Sequence, residues 1–267
     1  MYQTLSVERG AATATIWMNR PQVHNAFNEV LIEELDAASR ALEVDPAVRV
    51  VIVAGKGRNF CAGADLHWMG RAAAATMEEN LQDARRFARM LYGLARMSKP
   101  TLARVHGAAL GGGMGIAAAC DICVATHDAS FAMSEARLGL IPAVISPYVV
   151  RAIGPRQALR YVQSAERISA ARAAQMGLAH EVVAADELDG CVRQICEALC
   201  AGGPRSQAAA KALVFEVEGR EIADEVIERT ARAIAQQRTT DEAAEGMAAF
   251  FAKRAPHWVS AAGGPTP

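Results

Sequence analysis

Two glycine-rich segments, each directly after a short apolar run, constrain the fold of this chain most strongly. The first spans residues 55–66 (GKGRNFCAGADL) and follows the apolar run Val50 to Val53. The second spans residues 107–116 (GAALGGGMGI) and lies between the β-prone run Thr101 to Val105 and an alanine-rich helical pattern. A strand, a tight glycine loop and a helix in this order predict an α/β fold. Glycine also lets a ligand approach the backbone, although three consecutive glycines fit a simple tight turn as well.

The rest of the first half alternates between strand and helix patterns. Residues 5–8 and 13–18 predict a hairpin, and residues 48–54 predict a buried strand. Asn28 is suited to cap an amphipathic helix, and a second helix is predicted over residues 76–97. Further short strands are predicted at 101–105, 122–125 and 130–133.

The pattern becomes helical after about residue 145. Three prolines suit the first turn of a helix: Pro147, Pro155 and Pro204. Thr239 and Glu242 predict a capping box for the last helix, which we expect to end before Pro256. No long linker precedes these helices, so we expect them to dock on the α/β core or on another subunit.

Charge and composition exclude several classes of function. The 267 residues carry 28 basic and 29 acidic side chains, so the net charge of −1 provides no field that would attract nucleic acid or an anionic membrane. The longest apolar stretch, residues 102–119, is interrupted by Arg104 and His106 and does not predict a membrane span. Cys120 and Cys123 form a CxxC pair, but their apolar surroundings favour buried thiols over a metal or redox site. No secretory signal is recognisable, so we expect a cytoplasmic protein.

Neither glycine-rich segment matches a standard phosphate-binding or nucleophile motif. The chain lacks GxxxxGK[ST] and GxSxG, and the second segment does not satisfy GxGxxG. The start of the helix after the glycine run presents unpaired N–H donors and a partial positive charge. We therefore interpret the segments as two loops whose backbone donors converge on a carbonyl oxygen that becomes negative during a reaction.

Four motifs, in this order, resemble those of the enoyl-CoA hydratase/isomerase (crotonase) superfamily. They are FCAGADL at 60–66, AALGGGMGIAAACDI at 108–122, FAMSEARLGLIP at 131–142 and EGMAAFFAKR at 245–254. The resemblance spans residues 4–258 and implies a spiral of ββα repeats, an acyl-CoA substrate and no metal or redox cofactor. It divides the chain into a core with the active site at 1–195 and a helical trimerisation region at 196–258. The composition of residues 259–267 predicts a disordered tail. The resemblance also implies a homo-oligomer, either a trimer or a hexamer.

The same resemblance assigns roles to individual residues. Ala64 and Gly112 correspond to the two backbone N–H donors of an oxyanion hole, and one such donor contributes about 3 to 4 kcal/mol to transition-state stabilisation. Substrate-binding positions are implied for further residues of the motifs, namely Ala62, Asp65, Leu66, His67, Gly111 and Gly115. Lys253, which we expect in the last helix, corresponds to a position that can meet the phosphates of coenzyme A, and a solvated surface lysine is the alternative interpretation.

Glu135 is the candidate catalytic base. Hydratases of this family carry two catalytic glutamates; here Gly115 stands at the first position and Glu135 matches the second. Apolar neighbours such as Ala132 and Met133 would raise the pKa of this carboxylate and its strength as a base. The alternative interpretation is a surface ion pair between Glu135 and Arg137.

One carboxylate instead of two leaves the reaction open. Moving a double bond needs a single base, so the number of carboxylates favours an isomerase. Hydration must remove a proton from water and also deliver a proton to the α-carbon. The stretches SEARLGLIPAVISPYVVRAIG, ADLHWM and KRAPHW nevertheless resemble a hydratase branch that acts on branched glutaconyl-CoA thioesters. This branch includes the hydratases of 3-methylglutaconyl-CoA and of isohexenylglutaconyl-CoA. We therefore expect a hydratase in which Glu135 handles the water. A superfamily isomerase or decarboxylase and a non-catalytic acyl-CoA-binding member are the alternatives.

A glutaconyl thioester carries a second carboxylate, which needs a cationic partner when it is desolvated. Arg137 lies two residues after Glu135 and would share its side in an extended segment, and His67 borders the first glycine-rich segment. Arginine can bind a carboxylate bidentately and stays charged, so Arg137 is the stronger candidate. The alternative is that Arg137 pairs with an acidic residue elsewhere.

Overall fold

A computed structural model of the chain describes residues 2–261. The strands are β1 (Leu5–Arg9), β2 (Thr13–Met18), β3 (Val50–Gly55), β4 (Thr101–Val105), β5 (Ala108–Leu110), β6 (Ile122–Thr126), β7 (Ser130–Ala132), β8 (Ile168–Ser169) and β9 (Glu181–Val183). The helices are α1 (Glu29–Glu43), α2 (Leu66–Ala74), α3 (Met77–Ala95), α4 (Gly112–Ala119), α5 (Ser146–Ser164), α6 (Ala170–Met176), α7 (Leu188–Ala201), α8 (Pro204–Val217), α9 (Asp224–Arg238), α10 (Asp241–Phe251) and α11 (His257–Ala261). Short 3-10 helices lie at Pro21–Val23 and Glu135–Leu138. Within this described range, no helix has the length and apolar character needed to cross a bilayer.

The main sheet has the strand order β1-β2-β3-β4-β6-β9. β1 and β2 form the predicted antiparallel hairpin, and the other neighbours are parallel. Every residue of β3 is buried. Val51 and Val53 belong to the core on one face of the sheet, while Val50 and Ile52 pack towards α7 on the other. The uninterrupted apolar run thus suits a parallel strand that is covered on both faces, and the predicted buried strand is confirmed.

A second, smaller sheet takes part in a repeated strand–strand–helix unit. β5 pairs with β7 in parallel, and Cys61 forms a parallel bridge to Ala109 of β5. Three consecutive units therefore step from a main-sheet strand to the second sheet and then into a helix. The units are β3, the Cys61 bridge and α2; β4, β5 and α4; and β6, β7 and the helices that follow. This is the ββα repeat implied by the family resemblance, and it places the carboxyl ends of three parallel segments side by side.

The helices that cover this part of the core begin where the sequence indicates. Asn28 caps α1 by accepting a hydrogen bond from the Leu31 N–H at 3.1 Å. Thr76 and Glu79 form a reciprocal capping box at the start of α3. All eight residues of α4 are buried, and six of them are glycine or alanine, which lets the helix backbone lie inside the packed core. The first turn of α4 is therefore held rigidly at the end of β5.

α7 belongs to the core rather than to a separate helical region. Its residues Leu188, Val192 and Cys196 pack in one cluster with side chains of β3, β4 and β6. The boundary expected after residue 195 falls inside this continuous helix. Gly202 and Gly203 lie between the end of α7 at Ala201 and the start of α8 at Pro204.

α8, α9 and α10 pack mainly on one another. Thr240, and not Thr239, caps α10 by accepting a backbone hydrogen bond at 3.1 Å within the first turn. Glu242 instead reaches across to α8, where its carboxylate accepts hydrogen bonds from the N–H groups of Arg205 and Ser206 at 3.0 and 2.7 Å. The predicted capping box between Thr239 and Glu242 is therefore wrong, because Glu242 fastens α10 to the start of α8.

The C-terminal end contains one more helix than the sequence indicates. α10 ends at Phe251, and α11 follows Pro256, so the first residues of the expected disordered tail, 259–261, are helical. The rest of that tail, residues 262–267, lies outside the described residues.

Candidate active site

The three principal candidate residues meet at one edge of the second sheet. Ala64, Gly112 and Glu135 each come two or three residues after one of its segments, namely the Cys61 bridge, β5 and β7. Backbone hydrogen bonds of 2.8 to 2.9 Å join these segments and the residues just after them. Because the segments are parallel, their carboxyl ends lie side by side. The structure thus brings together the residues that the family resemblance assigns as oxyanion donors and as base.

Two glycines let the three loops touch. Gly63 has φ 97° and Gly111 has φ 50°, both in the left-handed region that favours glycine. A β-carbon on Gly63 would lie 3.1 Å from the carbonyl oxygen of Leu110, and one on Gly111 would lie 3.1 Å from Oε1 of Glu135. A side chain at either position would therefore push the loops apart. Gly111, a predicted substrate-binding residue, lies directly against the candidate base.

Two backbone hydrogen bonds with Phe27 fix the direction in which the N–H group of Ala64 points. The Phe27 N–H donates to the carbonyl oxygen of Gly63 at 2.8 Å, and the Asp65 N–H donates to the carbonyl oxygen of Phe27 at 2.9 Å. The C=O and N–H of a trans peptide point in opposite directions, so the N–H of Ala64 points away from Phe27. No acceptor for it is found among residues 2–261. It is free to donate to a ligand.

The N–H group of Gly112 lies at the N-terminus of α4. The Gly111 carbonyl already accepts a hydrogen bond from the Gly115 N–H at 3.1 Å, so the N–H of Gly112 points out of the helix N-terminus. A β-carbon on Gly112 would lie 2.2 Å from the ring of Phe27 and 2.9 Å from that of Phe87, so only glycine fits here. The helix dipole adds a partial positive charge at this end.

The carboxylate of Glu135 is desolvated. Its Oε2 atom is buried and has no hydrogen-bond partner within the described part of the chain. Burial raises the pKa of Glu135 above its usual value of 4.5; only its own backbone N–H opposes this, and no charged side chain contributes. The predicted upward shift is thus present, and the alternative of an ion pair with Arg137 is wrong. A desolvated, unpaired carboxylate holds a proton strongly, which suits a general base.

Ile145 occupies the space beside Gly115, where a first glutamate would stand. A β-carbon on Gly115 would lie 2.2 Å from Cγ2 and 2.7 Å from Cβ of Ile145. Ile145 is itself buried and precedes α5. The family resemblance implied a missing glutamate at this position, but it did not indicate which residue fills the space. The one available signal was an apolar residue just before the Ser146-Pro147 helix start. This wall of the site is therefore apolar.

Arg137 does not share a side with Glu135. Both lie in the 3-10 helix Glu135–Leu138, which has three residues per turn, so residues two apart point in different directions. Arg137 is exposed, and its charge does not contribute to the pKa shift of Glu135. The interpretation that rested on an extended segment is wrong.

The predicted substrate-binding residues of the first segment differ in their surroundings. Leu66 and His67 are exposed at the start of α2, and Ala62 is half-buried. Asp65 is buried: one carboxylate oxygen accepts hydrogen bonds from the first turn of α2, and the other pairs with Arg20 at 2.9 Å. The carboxylate of Asp65 is therefore occupied within the protein. Contact of these residues with a substrate stays a prediction.

Lys253 lies in the turn after α10 and not in the helix itself. It is exposed and adopts a left-handed backbone conformation with φ 51°. Its contact with the phosphates of coenzyme A stays a prediction.

The thiols of Cys61, Cys120 and Cys123 are buried and unbridged. Burial raises the pKa of Cys61 and of Cys123 to about 12, so both are un-ionised at neutral pH. Cys61 packs as a small buried side chain, with its Sγ 3.9 Å from the carbonyl oxygen of Gly63. Over residues 2–261, no group of three or more His, Cys, Asp or Glu side chains is arranged to hold a metal ion.

Fold and site together define a class of enzyme. The ββα repeats present two unpaired backbone donors and a desolvated carboxylate at one edge. Such an arrangement can polarise a carbonyl group and move a proton next to it, which is what reaction through a thioester enolate requires.

Comparison with known proteins identifies the family. A sequence profile described as "Enoyl-CoA hydratase/isomerase" matches residues 8–261, so the chain belongs to the enoyl-CoA hydratase/isomerase family. It is 36% identical to "Probable enoyl-CoA hydratase" of Rhizobium meliloti, over 95% of this chain and 96% of that protein. It is 31% identical to "Crotonyl-CoA hydratase" of Syntrophomonas wolfei, over 97% and 99% of the two chains. The crystal structure of an enoyl-CoA hydratase from Shewanella pealeana superposes with a TM-score of 0.93 at 39% identity and covers 96% of each chain. The predicted superfamily and α/β fold are confirmed.

Proposed function

We propose that this protein adds water across the 2,3 double bond of an enoyl-CoA thioester. The observation that carries the proposal is the presence of two unpaired backbone donors, Ala64 and Gly112, at the same sheet edge as the desolvated carboxylate of Glu135. The names of the relatives, which include an enoyl-CoA hydratase and a crotonyl-CoA hydratase, support a hydro-lyase.

The reaction needs only one carboxylate if the same proton is used twice. Ionised Glu135 accepts a proton from water as the water oxygen attacks C3. The electron pair of the double bond moves towards the thioester oxygen, where the N–H groups of Ala64 and Gly112 stabilise the negative charge. When the enolate collapses, C2 takes the proton from Glu135, which returns to its ionised form. Oxygen and hydrogen are then added from the side of the substrate that faces Glu135.

Isomerisation is the second candidate function, because one base is also enough to move a double bond. Glu135 would take a proton from C2 of a 3-enoyl-CoA and deliver it to C4. Incubation with crotonyl-CoA, 3-methylglutaconyl-CoA and a 3-enoyl-CoA separates the candidates through the absorbance of the conjugated thioester. We expect a loss of absorbance with at least one of the first two. A gain with the 3-enoyl-CoA alone would establish an isomerase, and no change with any of them a non-catalytic member.

We propose a branched glutaconyl-CoA, such as 3-methylglutaconyl-CoA, as the natural substrate. The resemblance of residues 134–154 to that hydratase branch supports it. The apolar wall at Ile145 supports it as well, because a second glutamate at position 115 would repel the carboxylate of such a substrate. Arg137 and His67 are exposed, and we propose Arg137 as the partner of that carboxylate, reached from the exposed side of the 3-10 helix and not from the side of Glu135.

Arg137→Leu tests the recognition of this carboxylate. If Arg137 binds it, KM for 3-methylglutaconyl-CoA should rise at least about tenfold, while KM for crotonyl-CoA, which has no second carboxylate, should change less than about twofold. Steady-state kinetics with both substrates measure the difference, and Arg85→Leu on the surface of α3 is the matched control. An equal rise for both substrates would show that Arg137 has a structural role only.

The pH dependence of kcat/KM reports the ionisation of Glu135 in the free enzyme. Burial raises the pKa of this carboxyl above 4.5, so the proton-accepting form is lost at a higher pH than for an exposed glutamate. With crotonyl-CoA, we expect activity to fall as the pH decreases, with the midpoint of this acidic limb above 4.5. A limb at or below that value would contradict a desolvated base.

We further propose that the protein works as a trimer or hexamer and without a metal or redox cofactor. Hydration transfers no electrons, and the backbone donors take up the negative charge. Several apolar side chains of α8, α9 and α10 are exposed and could be covered by a second copy: Val214, Ile227, Ile234, Met247, Phe250 and Phe251. A cytoplasmic location stays a prediction.

A further inference from the structure

The guanidinium group of Arg20 joins two segments beside the candidate oxyanion hole. One nitrogen donates a hydrogen bond to the carbonyl oxygen of Ala26, and another donates to Oδ2 of Asp65 at 2.9 Å. The side chains of Arg20 and Asp65 are only 16% and 8% exposed. An ion pair this well shielded from solvent is stronger than an ordinary surface pair.

The two partners of Arg20 flank the hydrogen bonds that aim the Ala64 N–H. Ala26 precedes Phe27, whose N–H binds the carbonyl of Gly63, and Asp65 directly follows Ala64. The guanidinium therefore clamps both sides of the short parallel bridge between Phe27 and Ala64. A shift of either side would rotate the peptide that carries the Ala64 N–H.

The backbone of Arg20 is held independently of its side chain. Its N–H donates to Oδ1 of Asn25 at 2.9 Å, and the amide of Asn25 donates to the carbonyl oxygens of Lys56 and Asn59. Truncation of the Arg20 side chain therefore leaves the local chain path anchored and removes mainly the clamp. Burial alone would raise the pKa of Asp65, but hydrogen bonds from Arg20 and from the first turn of α2 outweigh it and lower the pKa. Asp65 is thus ionised as the partner of Arg20.

We propose that Arg20 is a positioning residue that holds the N–H of Ala64 in the direction needed to polarise the substrate carbonyl. The proposal rests on the proposed function, because it requires Ala64 to be an oxyanion donor. Arg20 acts through Asp65 and Phe27 and does not touch the reacting atoms.

The direct test is the carbonyl stretching band of bound butyryl-CoA labelled with carbon-13 at the thioester carbon. This saturated thioester cannot be hydrated, and a hydrogen bond to its carbonyl moves the band to lower wavenumber. We expect the band shift in Arg20→Met to be at most half of that in the wild-type protein. In Arg20→Lys the band shift should be partly restored, because one ammonium group replaces only part of a guanidinium that donates through two nitrogens. A wild-type shift that is unchanged in Arg20→Met overturns the role of Arg20. No shift in the wild-type protein would instead overturn the oxyanion hole and the proposed function.

Two further variants separate positioning from general stability. Arg71→Met removes an exposed ion pair between α2 and Glu29, and it should leave the band shift and kcat unchanged. Asp65→Asn keeps a good helix cap but loses the charge that faces Arg20, so it should reduce the band shift even if Arg20→Met fails to fold.

Where hydration is measurable with crotonyl-CoA, Arg20→Met should lower kcat about tenfold with KM changed less than about threefold. A full wild-type shift in both Asp65→Asn and Arg20→Lys, with Arg20→Met unfolded, would also overturn the proposal.

Discussion

Glu135→Gln is expected to reduce kcat at least about a hundredfold while coenzyme A thioesters still bind. Glutamine has nearly the same shape as glutamate, but it cannot take a proton from water. Because the buried Oε2 atom has no partner to lose, the substitution breaks no hydrogen bond of that oxygen within residues 2–261. Steady-state kinetics with crotonyl-CoA and calorimetric binding of butyryl-CoA measure the two effects. Wild-type turnover in Glu135→Gln would exclude Glu135 as the base.

The same substitution is expected to stabilise the fold at neutral pH. The pKa of Glu135 is raised in the folded state, so the folded protein binds more protons than the unfolded chain and its stability falls as the pH rises above 4.5. Glutamine removes this pH-dependent penalty. The melting temperature of Glu135→Gln should therefore exceed that of the wild type at neutral pH, and the gap should narrow below the usual glutamate pKa.

Glu33→Gln is the matched control for both measurements. Glu33 lies on the exposed face of α1, so the same chemical change there should alter neither kcat nor the melting temperature appreciably. A melting temperature of Glu135→Gln at or below that of the wild type would show that the carboxylate is solvated or paired in solution.

The strands and the helix starts of the core were predictable because their causes are local. The apolar run in β3 reflects burial on both faces, and the caps at Asn28 and Thr76 are set by residues within one turn. The two glycine loops were predictable for a similar reason, since Gly63 and Gly111 have positive φ angles that other residues rarely adopt.

The sequence predictions were wrong where a side chain contacts residues far away along the chain, or where the backbone forms a 3-10 helix instead of a strand. Arg137 was misplaced because the chain after β7 turns into a 3-10 helix instead of continuing as a strand. Glu242 has the spacing of a capping box, yet it binds α8, which lies 36 residues away along the chain at Ser206. The pairing of Arg20 with Asp65 spans 45 residues, and no pattern in the sequence indicates it.

Gly115→Glu is expected to unfold the protein or nearly so, although it would restore a second carboxylate to the site. The new β-carbon would lie 2.2 Å from Cγ2 of Ile145 and 2.7 Å from its Cβ, inside a helix in which every residue is buried. Overpacking combined with a buried, unpaired charge costs on the order of 5 kcal/mol, which is comparable to the total stability of many domains. Thermal unfolding should show a loss of the cooperative transition or a melting temperature at least about 10 °C lower. Any folded fraction should hydrate a bulky branched substrate more slowly than the wild type.

Gly70→Glu is the matched control, because a β-carbon at this exposed position of α2 would meet no atom within 4 Å. Its melting temperature should stay close to that of the wild type, since glutamate favours a helix more than glycine does.

Compensation at Ile145 tests whether this side chain is the cause of the clash. Ile145→Ala removes Cγ2 but keeps the β-carbon that would lie 2.7 Å away, whereas Ile145→Gly leaves Cα as the nearest atom, at 3.7 Å. Each single change at Ile145 should cost about 2 to 5 kcal/mol through the cavity it leaves. The melting temperature should nevertheless rise from Gly115→Glu to its combination with Ile145→Ala, and further to its combination with Ile145→Gly. If neither combination is more stable than Gly115→Glu alone, the desolvation of the new carboxylate, and not its collision with Ile145, keeps glutamate out of position 115.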